Sequence, residues 1–94
     1  MRKRSSAISL SRDLDIPKSR AIEAQMKAKL TAAIIAEVRR RRLTHARLAE
    51  QSGLARTTVT GILSGSLQRV SLGRILRLAE AAGLEAEVRI RRAA

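Results

Sequence analysis

Cysteine and aromatic residues are absent from this chain of 94 residues, and histidine and proline each occur once. The lack of cysteine excludes disulfides, thiolate zinc sites and thiol catalysis, and is typical of a reducing cytoplasm. Aromatic side chains supply the largest buried areas, so their absence leaves a small core that we expect a second chain to complete. No apolar run approaches the roughly 18 residues of a membrane-spanning helix, and the amino end lacks the apolar stretch of a signal peptide. We therefore expect a cytoplasmic protein without a membrane segment.

Positive charge dominates the composition. Lysine and arginine number 20 against 8 aspartate and glutamate residues, which gives a net charge of +12. This excess favours a polyanionic partner, namely nucleic acid, an anionic membrane or an acidic protein. RNA readers normally stack bases on aromatic side chains, and membrane-surface helices place Trp or Phe at their apolar edge. Since both features are missing, double-stranded DNA is the favoured partner.

A long first helix is predicted after the segment DLDIP, with Asp15 as its N-cap and Pro17 in its first turn. Its apolar side chains recur every four residues, at Ile22, Met26, Leu30, Ile34 and Val38. A spacing of four drifts around a helix of about 3.6 residues per turn, so we expect a kink or break near Gln25. The helix should end among the arginines of residues 39–42, which solvate its negative end.

Three shorter helices follow, separated by short connections such as the loop SLQRV. Thr44 and Ser71 are the predicted N-caps of the second and fourth helices, and Gly53, Gly65 and Gly83 are the residues that end the three helices in turn. The predicted buried positions are Leu48 and Ala49 in the second helix, Thr58, Val59 and Ile62 in the third, and Leu72, Ile75, Leu76, Ala79 and Ala82 in the fourth.

The last segment changes period and predicts one strand, over residues 84–92. Apolar and charged residues alternate there, in the order Leu84, Glu85, Ala86, Glu87, Val88, Arg89, Ile90 and Arg91. A lone strand has unpaired backbone on both edges, so it needs a copy from a second chain. In an antiparallel pair centred on Val88, Glu85 faces Arg91 and Glu87 faces Arg89, and such pairs contribute roughly 0.2–1 kcal/mol each. We expect a homodimer sealed by this strand; a frayed basic tail is the alternative.

Residues 43–65 read LTHARLAEQSGLARTTVTGILSG, two short helices joined by a tight turn at Gly53. This pattern resembles the Cro-type (XRE) helix-turn-helix family, with the small Ala49 where the two helices cross. The resemblance implies a lambda-repressor-like domain of four to five helices. With the strand added, the predicted fold class is mainly all-α with one C-terminal strand pairing across a dimer. Two positions depart from the family pattern: His45 stands where glutamine is usual, and Ala55 stands where a capping Ser or Thr is usual.

The exposed face of the third helix, at about residues 55–64, is the predicted DNA-reading surface. Its base-reading residues are Arg56, Thr57, Thr60 and Gly61. Arg56 can donate two hydrogen bonds to guanine, the commonest specific contact, whereas Gly61 offers only close approach. Phosphate contacts are expected from Thr44, His45, Ser64, Ser66, Gln68 and Arg69. Alternatively, His45 is an ordinary surface residue, and Thr57 and Thr58 only substitute for the missing cap at Ala55.

The wider layout, from Asp13 to Ile90, resembles the HigA-type antitoxins of toxin–antitoxin modules: DLDIP and a long helix precede the motif, and SLGRILRLAEAAGL and the strand follow it. The resemblance implies a dimeric repressor that binds an inverted-repeat operator, autoregulates its operon and neutralises a small RelE-like (HigB-type) toxin. We expect the toxin contact in the tail and first helix, from Ile8 to Leu30. A stand-alone or phage-type XRE regulator without a toxin is the alternative, and a basic protein- or RNA-interaction module is a third reading.

We expect no catalytic residue, metal site or cofactor. No carboxylate lies near His45 in the sequence to orient it, and one histidine without cysteine leaves little for a transition metal. The five glycines are spread along the helices and at their ends, and they do not form a glycine-rich phosphate-binding loop. The chain is therefore predicted to consist of a basic flexible tail (1–17), a DNA-binding domain (18–83) and a dimerisation strand (84–92).

Overall fold

Four helices make up the part of the chain that the computed structural model describes, residues 17–94. They are α1 (Lys18–Arg41), α2 (His45–Ser52), α3 (Arg56–Leu63) and α4 (Leu72–Ala81). The mainly α-helical class and the order of one long and three short helices agree with the prediction. Nearly all of the predicted tail, including Asp13 and Asp15, lies outside the described residues.

The core is aliphatic and lies where α1 and α4 meet the pair α2 and α3. All four helices contribute side chains that are fully shielded from solvent: Ile34, Leu48, Val59, Ile62, Ile75 and Leu78. Burying an aliphatic side chain of this size contributes about 1.5–3 kcal/mol. α1 packs chiefly on α4, and α2 packs on both α3 and α4. The helices α1 and α4 therefore form the support against which α2 and α3 pack.

The first helix runs without interruption across Gln25, so the predicted break is absent. Its buried residues are Ala21, Thr31 and Ile34, whereas Met26, part of the predicted apolar stripe, is 44% exposed. The drift of the four-residue spacing therefore carries Met26 off the core instead of bending the helix. Pro17 is the N-cap and not part of the first turn, so the helix begins two residues later than the predicted N-cap at Asp15 implies.

The arginines that end α1 make specific contacts. Nε and Nη2 of Arg40 each donate a 2.9 Å hydrogen bond to the carboxylate of Glu37, and this interaction holds the pKa of Glu37 below its ordinary value. Nη1 of Arg41 donates a 2.9 Å hydrogen bond to the carbonyl oxygen of Ala82. Arg42 ends the helix in the left-handed conformation, with φ 55°. These residues therefore shape the helix end as well as solvating it.

The predicted ends of the short helices are confirmed. The hydroxyls of Thr44 and Ser71 each accept the backbone N–H three residues further on, at 3.1 Å and 3.2 Å. Ala55 makes no such bond at the start of α3, as its side chain requires. The three terminating glycines all have positive φ: Gly53, Gly65 and Gly83.

The buried face of α4 differs from the prediction at its leucines, and Leu72, which we predicted to be buried, is only partly buried. Leu78 is completely buried, whereas Leu76, which we predicted to be buried, is 40% exposed. Ile75, Leu78 and Ala79 have the spacing of three and four that keeps side chains on one helix face. Leu76 follows Ile75 by a single residue, which turns it about 100° away from that face.

Beyond Gly83, residues 84–94 form neither helix nor strand within the described chain. The backbone N–H of Leu84 donates a 2.9 Å hydrogen bond to the carbonyl oxygen of Ala79, and the Leu84 side chain packs against the core. Further on, Val88 and Ile90 are 77% and 91% exposed. A strand needs a pairing partner, which residues 17–94 of a single chain do not offer, so the dimerisation strand stays a prediction.

Candidate nucleic-acid interface

A helix-turn-helix is formed by α2, the turn at Gly53 and α3. The backbone N–H of Leu54 donates a 3.2 Å hydrogen bond to the hydroxyl of Ser52, which fixes the path of the chain out of α2. Leu48 from α2 and Val59 from α3 are fully buried, and the Leu54 side chain is buried beside them. This apolar contact holds the two helices at a fixed angle and leaves their opposite sides to solvent.

The predicted base-reading residues share one face of α3. Arg56, Thr57 and Thr60 are exposed, and Gly61 is partly exposed. Positions 56 and 60, and likewise 57 and 61, are four residues apart and lie above one another on a helix. Arg56 is the first residue of α3, and a Cβ at Gly61 would meet nothing within 4 Å. The face is therefore open, with one long cationic side chain at its amino end.

One hydrogen bond joins α2 to α3 on the exposed side of the motif. Nδ1 of His45 lies 2.9 Å from Oγ1 of Thr60. The sequence predicted these two residues as separate contacts, His45 for a phosphate and Thr60 for a base. Their direct pairing was not predicted, because 15 positions separate them and no local pattern connects them.

The predicted phosphate-binding residues differ in what they can donate. The Thr44 oxygen accepts the backbone N–H of Arg47, so its hydroxyl hydrogen is free to donate outward. The Ser64 hydroxyl instead donates to the carbonyl oxygen of Gly61 at 2.9 Å, which leaves only lone pairs for a neighbour. A DNA phosphate can only accept hydrogen bonds, and the Ser64 hydrogen is already used. Ser64 is therefore a poor phosphate contact in this conformation. The remaining predicted residues are exposed in the loop after α3: Ser66, Gln68 and Arg69.

Sequence reasoning missed two cationic residues next to this loop. A groove of about 670 Å³ separates the amino half of α1 from the loop, and Arg20, Lys27 and Gln68 line it. Nζ of Lys27 lies 3.8 Å from the carboxylate of Glu23, which also lines the groove. The groove brings Arg20 and Lys27 close to a predicted phosphate contact. Their spacing of seven on one helix face was the available signal.

Within residues 17–94, the structure contains no group of three or more His, Cys, Asp or Glu side chains able to hold a metal ion. None of the four helices is long and apolar enough to cross a membrane. The exposed side of the helix-turn-helix can therefore interact with a ligand through hydrogen bonds and through the positive charge of its arginines.

Comparison with known proteins agrees with this geometry. The sequence model of the helix-turn-helix domain family matches residues 13–91, so the protein is a helix-turn-helix protein. A solved structure of a protein assigned to the XRE family of transcriptional regulators is 30% identical to this chain, with a TM-score of 0.65 over 76% of this chain and 80% of the other. The chain therefore belongs to the XRE helix-turn-helix family, whose members are DNA-binding transcriptional regulators and not enzymes. None of the curated proteins compared with it gives a significant match.

Proposed function

We propose that this protein is a transcriptional repressor that recognises a specific operator in double-stranded DNA. The observation that carries the proposal is the open face of α3, with Arg56, Thr57, Thr60 and Gly61 next to the amino end of α2. In this arrangement α3 enters the major groove, and the free backbone N–H groups at the start of α2 meet a phosphate. The net charge of +12 supplies the sequence-independent attraction to DNA.

The proposed DNA-binding residues have two functions: some contact bases, and others bind phosphates. Arg56 forms two hydrogen bonds to a guanine, which discriminates against a wrong base by about 1–3 kcal/mol. Thr57 and Thr60 contact a base edge or a thymine methyl group. Thr44 and Arg69 bind phosphates, which sets the position of α3 in the groove without reading sequence.

Selection of bound sites from a random pool of DNA duplexes tests the proposal. We expect an inverted repeat whose half-site centres are about 34 Å apart, or a multiple of that distance. The variant Arg74→Ala removes one positive charge at an exposed position of α4, outside the helix-turn-helix, and it should select the same sequence. A pool that is retained without any common sequence would contradict specific recognition.

The repressor is proposed to act as a homodimer joined through residues 84–92. A groove of about 400 Å³ runs between α1, α4 and the carboxy-terminal segment, and its walls include Met26, Leu76 and Val88. These three side chains are among the large hydrophobic residues that stay exposed in the single chain. Adjoining exposed apolar residues are typical of interaction sites.

A second copy of the chain is the occupant that the charge pattern favours. In the antiparallel pairing centred on Val88, every glutamate of the segment meets an arginine of the other copy. The apolar face of the paired strands then covers the groove, and the charged face stays in water. Sedimentation should report a dimer for the wild type and for Arg74→Ala, an exposed position outside the segment, and a monomer for Val88→Lys. A monomeric wild type at micromolar concentration would contradict this contact.

The repressor is further proposed to be an antitoxin that resides in the cytoplasm and neutralises a RelE-like toxin through residues 8–30. The support is the layout from Asp13 to Ile90, which resembles HigA-type antitoxins, and the exposed positions of the amino half of α1 outside that groove, among them Arg20, Glu23 and Gln25. Co-expression with the product of the adjacent reading frame is the test. We expect a stable complex, which deletion of residues 1–17 weakens. If that product does not bind, the protein is a regulator without a toxin partner, and the DNA-binding proposal is unaffected.

A further inference from the structure

The hydrogen bond between His45 and Thr60 places a titratable ring against a predicted base-reading hydroxyl. Nδ1 of His45 is 2.9 Å from Oγ1 of Thr60, and Thr60 is exposed on the open face of α3. On the basis of the DNA-binding function proposed above, we propose that His45 sets the direction of the Thr60 hydroxyl, so that base preference at one operator position changes with the protonation of His45.

The switch follows from how many hydrogens each group carries. A cationic imidazole donates from both nitrogens, so the Thr60 oxygen accepts from Nδ1 and its own hydrogen points outward. Thr60 is then a donor, which suits guanine and thymine, the bases whose hydrogen-bonding groups in the major groove are all acceptors. In the neutral ring with its hydrogen on Nε2, Nδ1 accepts the Thr60 hydrogen. Thr60 then offers only lone pairs, which suit the amino group of cytosine or adenine.

His45 has three protonation forms: the cation, the neutral form with its hydrogen on Nε2, and the neutral form with its hydrogen on Nδ1. Bound DNA favours the first two and disfavours the last. His45 is the first residue of α2, where a phosphate is expected, and its Nε2 is the ring nitrogen not used by Thr60. A phosphate at Nε2 requires a hydrogen there, which disfavours the neutral form with its hydrogen on Nδ1. The complex therefore exchanges between the cation and the neutral form with its hydrogen on Nε2, and these differ by one proton.

The charged groups around His45 do not supply an anion of their own. Arg42 precedes α2, Arg47 lies in its first turn, and Arg56 lies one turn before Thr60 on α3. On the elements on either side of the turn before α2, Glu37 of α1 is bound by Arg40, and Glu50 is the acidic residue of α2. Within the described part of the chain, no carboxylate forms an ion pair with the imidazole. A DNA phosphate therefore provides the negative charge that favours the cation, and binding is coupled to proton uptake.

Because this is the one histidine of the chain, the coupling can be isolated in a binding experiment. Histidine is the side chain whose charge ordinarily changes between about pH 5 and 8. Uptake of one proton per bound protomer changes the affinity of that protomer up to about tenfold per pH unit. A free amino terminus also titrates near this range, so a variant that lacks only the histidine is the required control.

Site selection from a random pool of DNA duplexes at about pH 6 and about pH 8 tests the inference. For the wild type, the preferred base at one position of each half-site should shift from guanine or thymine at the lower pH to cytosine or adenine at the higher pH. His45→Gln, which keeps a hydrogen-bonding side chain without a titration, should select the same base at both. Thr60→Val keeps the shape without the hydroxyl and should lose preference at that position alone. Circular dichroism verifies that both variants fold.

The outcomes separate this inference from the proposed function. If the wild type selects an operator whose bases are the same at both pH values, the hydroxyl switch is wrong and specific DNA binding stands. If His45→Gln shows the same shift as the wild type, another group is responsible and the inference is also wrong. If no sequence is selected by any variant at either pH, the proposed operator recognition fails, and the switch fails with it.

Discussion

Nη2 of Arg77 donates a 2.9 Å hydrogen bond to the carbonyl oxygen of Ser52, the last residue of α2. This bond ties α4 to the helix-turn-helix at the point where α2 turns into α3. A similar hydrogen bond is found at the carboxyl end of α4, where Arg41 of α1 donates to the carbonyl oxygen of Ala82. In both cases the guanidinium lies against the glycine that ends the helix, Gly53 or Gly83. Terminal carbonyls of a helix lack partners within it, and a cation is favoured there.

Arg77→Ala should lower the free energy of unfolding by about 1–2 kcal/mol. Hydrogen bonds from charged groups contribute about 1.5–3 kcal/mol, and partial exposure of this guanidinium reduces that value. Arg74→Ala, at an exposed position of the same helix, is the matched control and should change stability by less than about 0.5 kcal/mol. Urea denaturation measures both. Equal losses in the two variants would show that the contact with Ser52 contributes nothing.

Two glycines of the motif should respond in opposite ways to alanine. Gly53 has φ 74°, and an added Cβ would lie 2.9 Å from Nη2 of Arg77, so Gly53→Ala should destabilise by at least about 1–2 kcal/mol. Gly61 lies within α3 with nothing near its Cβ position, so Gly61→Ala should stabilise by about 0.5–1 kcal/mol. Thermal denaturation distinguishes the two signs. If Gly61→Ala also weakens DNA binding, the backbone approaches DNA there; a neutral Gly53→Ala would contradict the close packing of the turn.

Charge reversal tests the register of the proposed strand pair. Glu87→Arg should weaken the dimer because it places arginine opposite Arg89 of the other copy, and Arg89→Glu should weaken it by opposing two glutamates. The double variant restores both pairs and should recover much of the wild-type dimer affinity, measured by sedimentation. Since Glu87 and Arg89 are both largely exposed in the single chain, their own 3.5 Å ion pair should not affect folding. A double variant as weak as the sum of the two single variants would contradict this register.

Arg69→Ala should weaken binding to all DNA sequences alike, because a phosphate contact carries no base information. The slope of the logarithm of affinity against the logarithm of salt concentration should fall by about 1 per lost contact. Fluorescence anisotropy with the selected operator and an unrelated duplex measures both effects. A loss confined to the operator would show that Arg69 reads a base instead.

The features that the sequence predicted well depend on short stretches of chain. Thr44 and Ser71 cap helices through the backbone N–H three residues further on, and Gly53 ends α2 because a left-handed residue is needed there. These are local requirements, visible from residue type and spacing alone. The open face of α3 follows in the same way, since burial of Val59 and Ile62 turns Thr57 and Thr60 outward.

Contacts between distant parts of the chain were not accessible to the same reasoning. The bond from Arg77 to Ser52 joins positions 25 apart, and that from His45 to Thr60 joins positions 15 apart, with no pattern between them. The choice of Leu76 over Leu78 failed for a different reason. Three leucine or isoleucine residues lie close together in α4, and only the packing against α1 decides which of them turn inward. The pairing proposed for the carboxy-terminal segment involves a second chain, and the sequence supports it only through the complementary charges of the segment.

In the proposed complex, α3 reads DNA sequence chiefly through Arg56. Site selection with the wild type and with Arg56→Ala tests this role most directly. The wild type should select an inverted repeat with a guanine at one fixed position of each half-site. Arg56→Ala should select the same repeat with that one position relaxed, at a cost of about 1–3 kcal/mol per half-site on the original operator. An Arg56→Ala variant that keeps the full guanine preference would contradict this assignment of the reading residue.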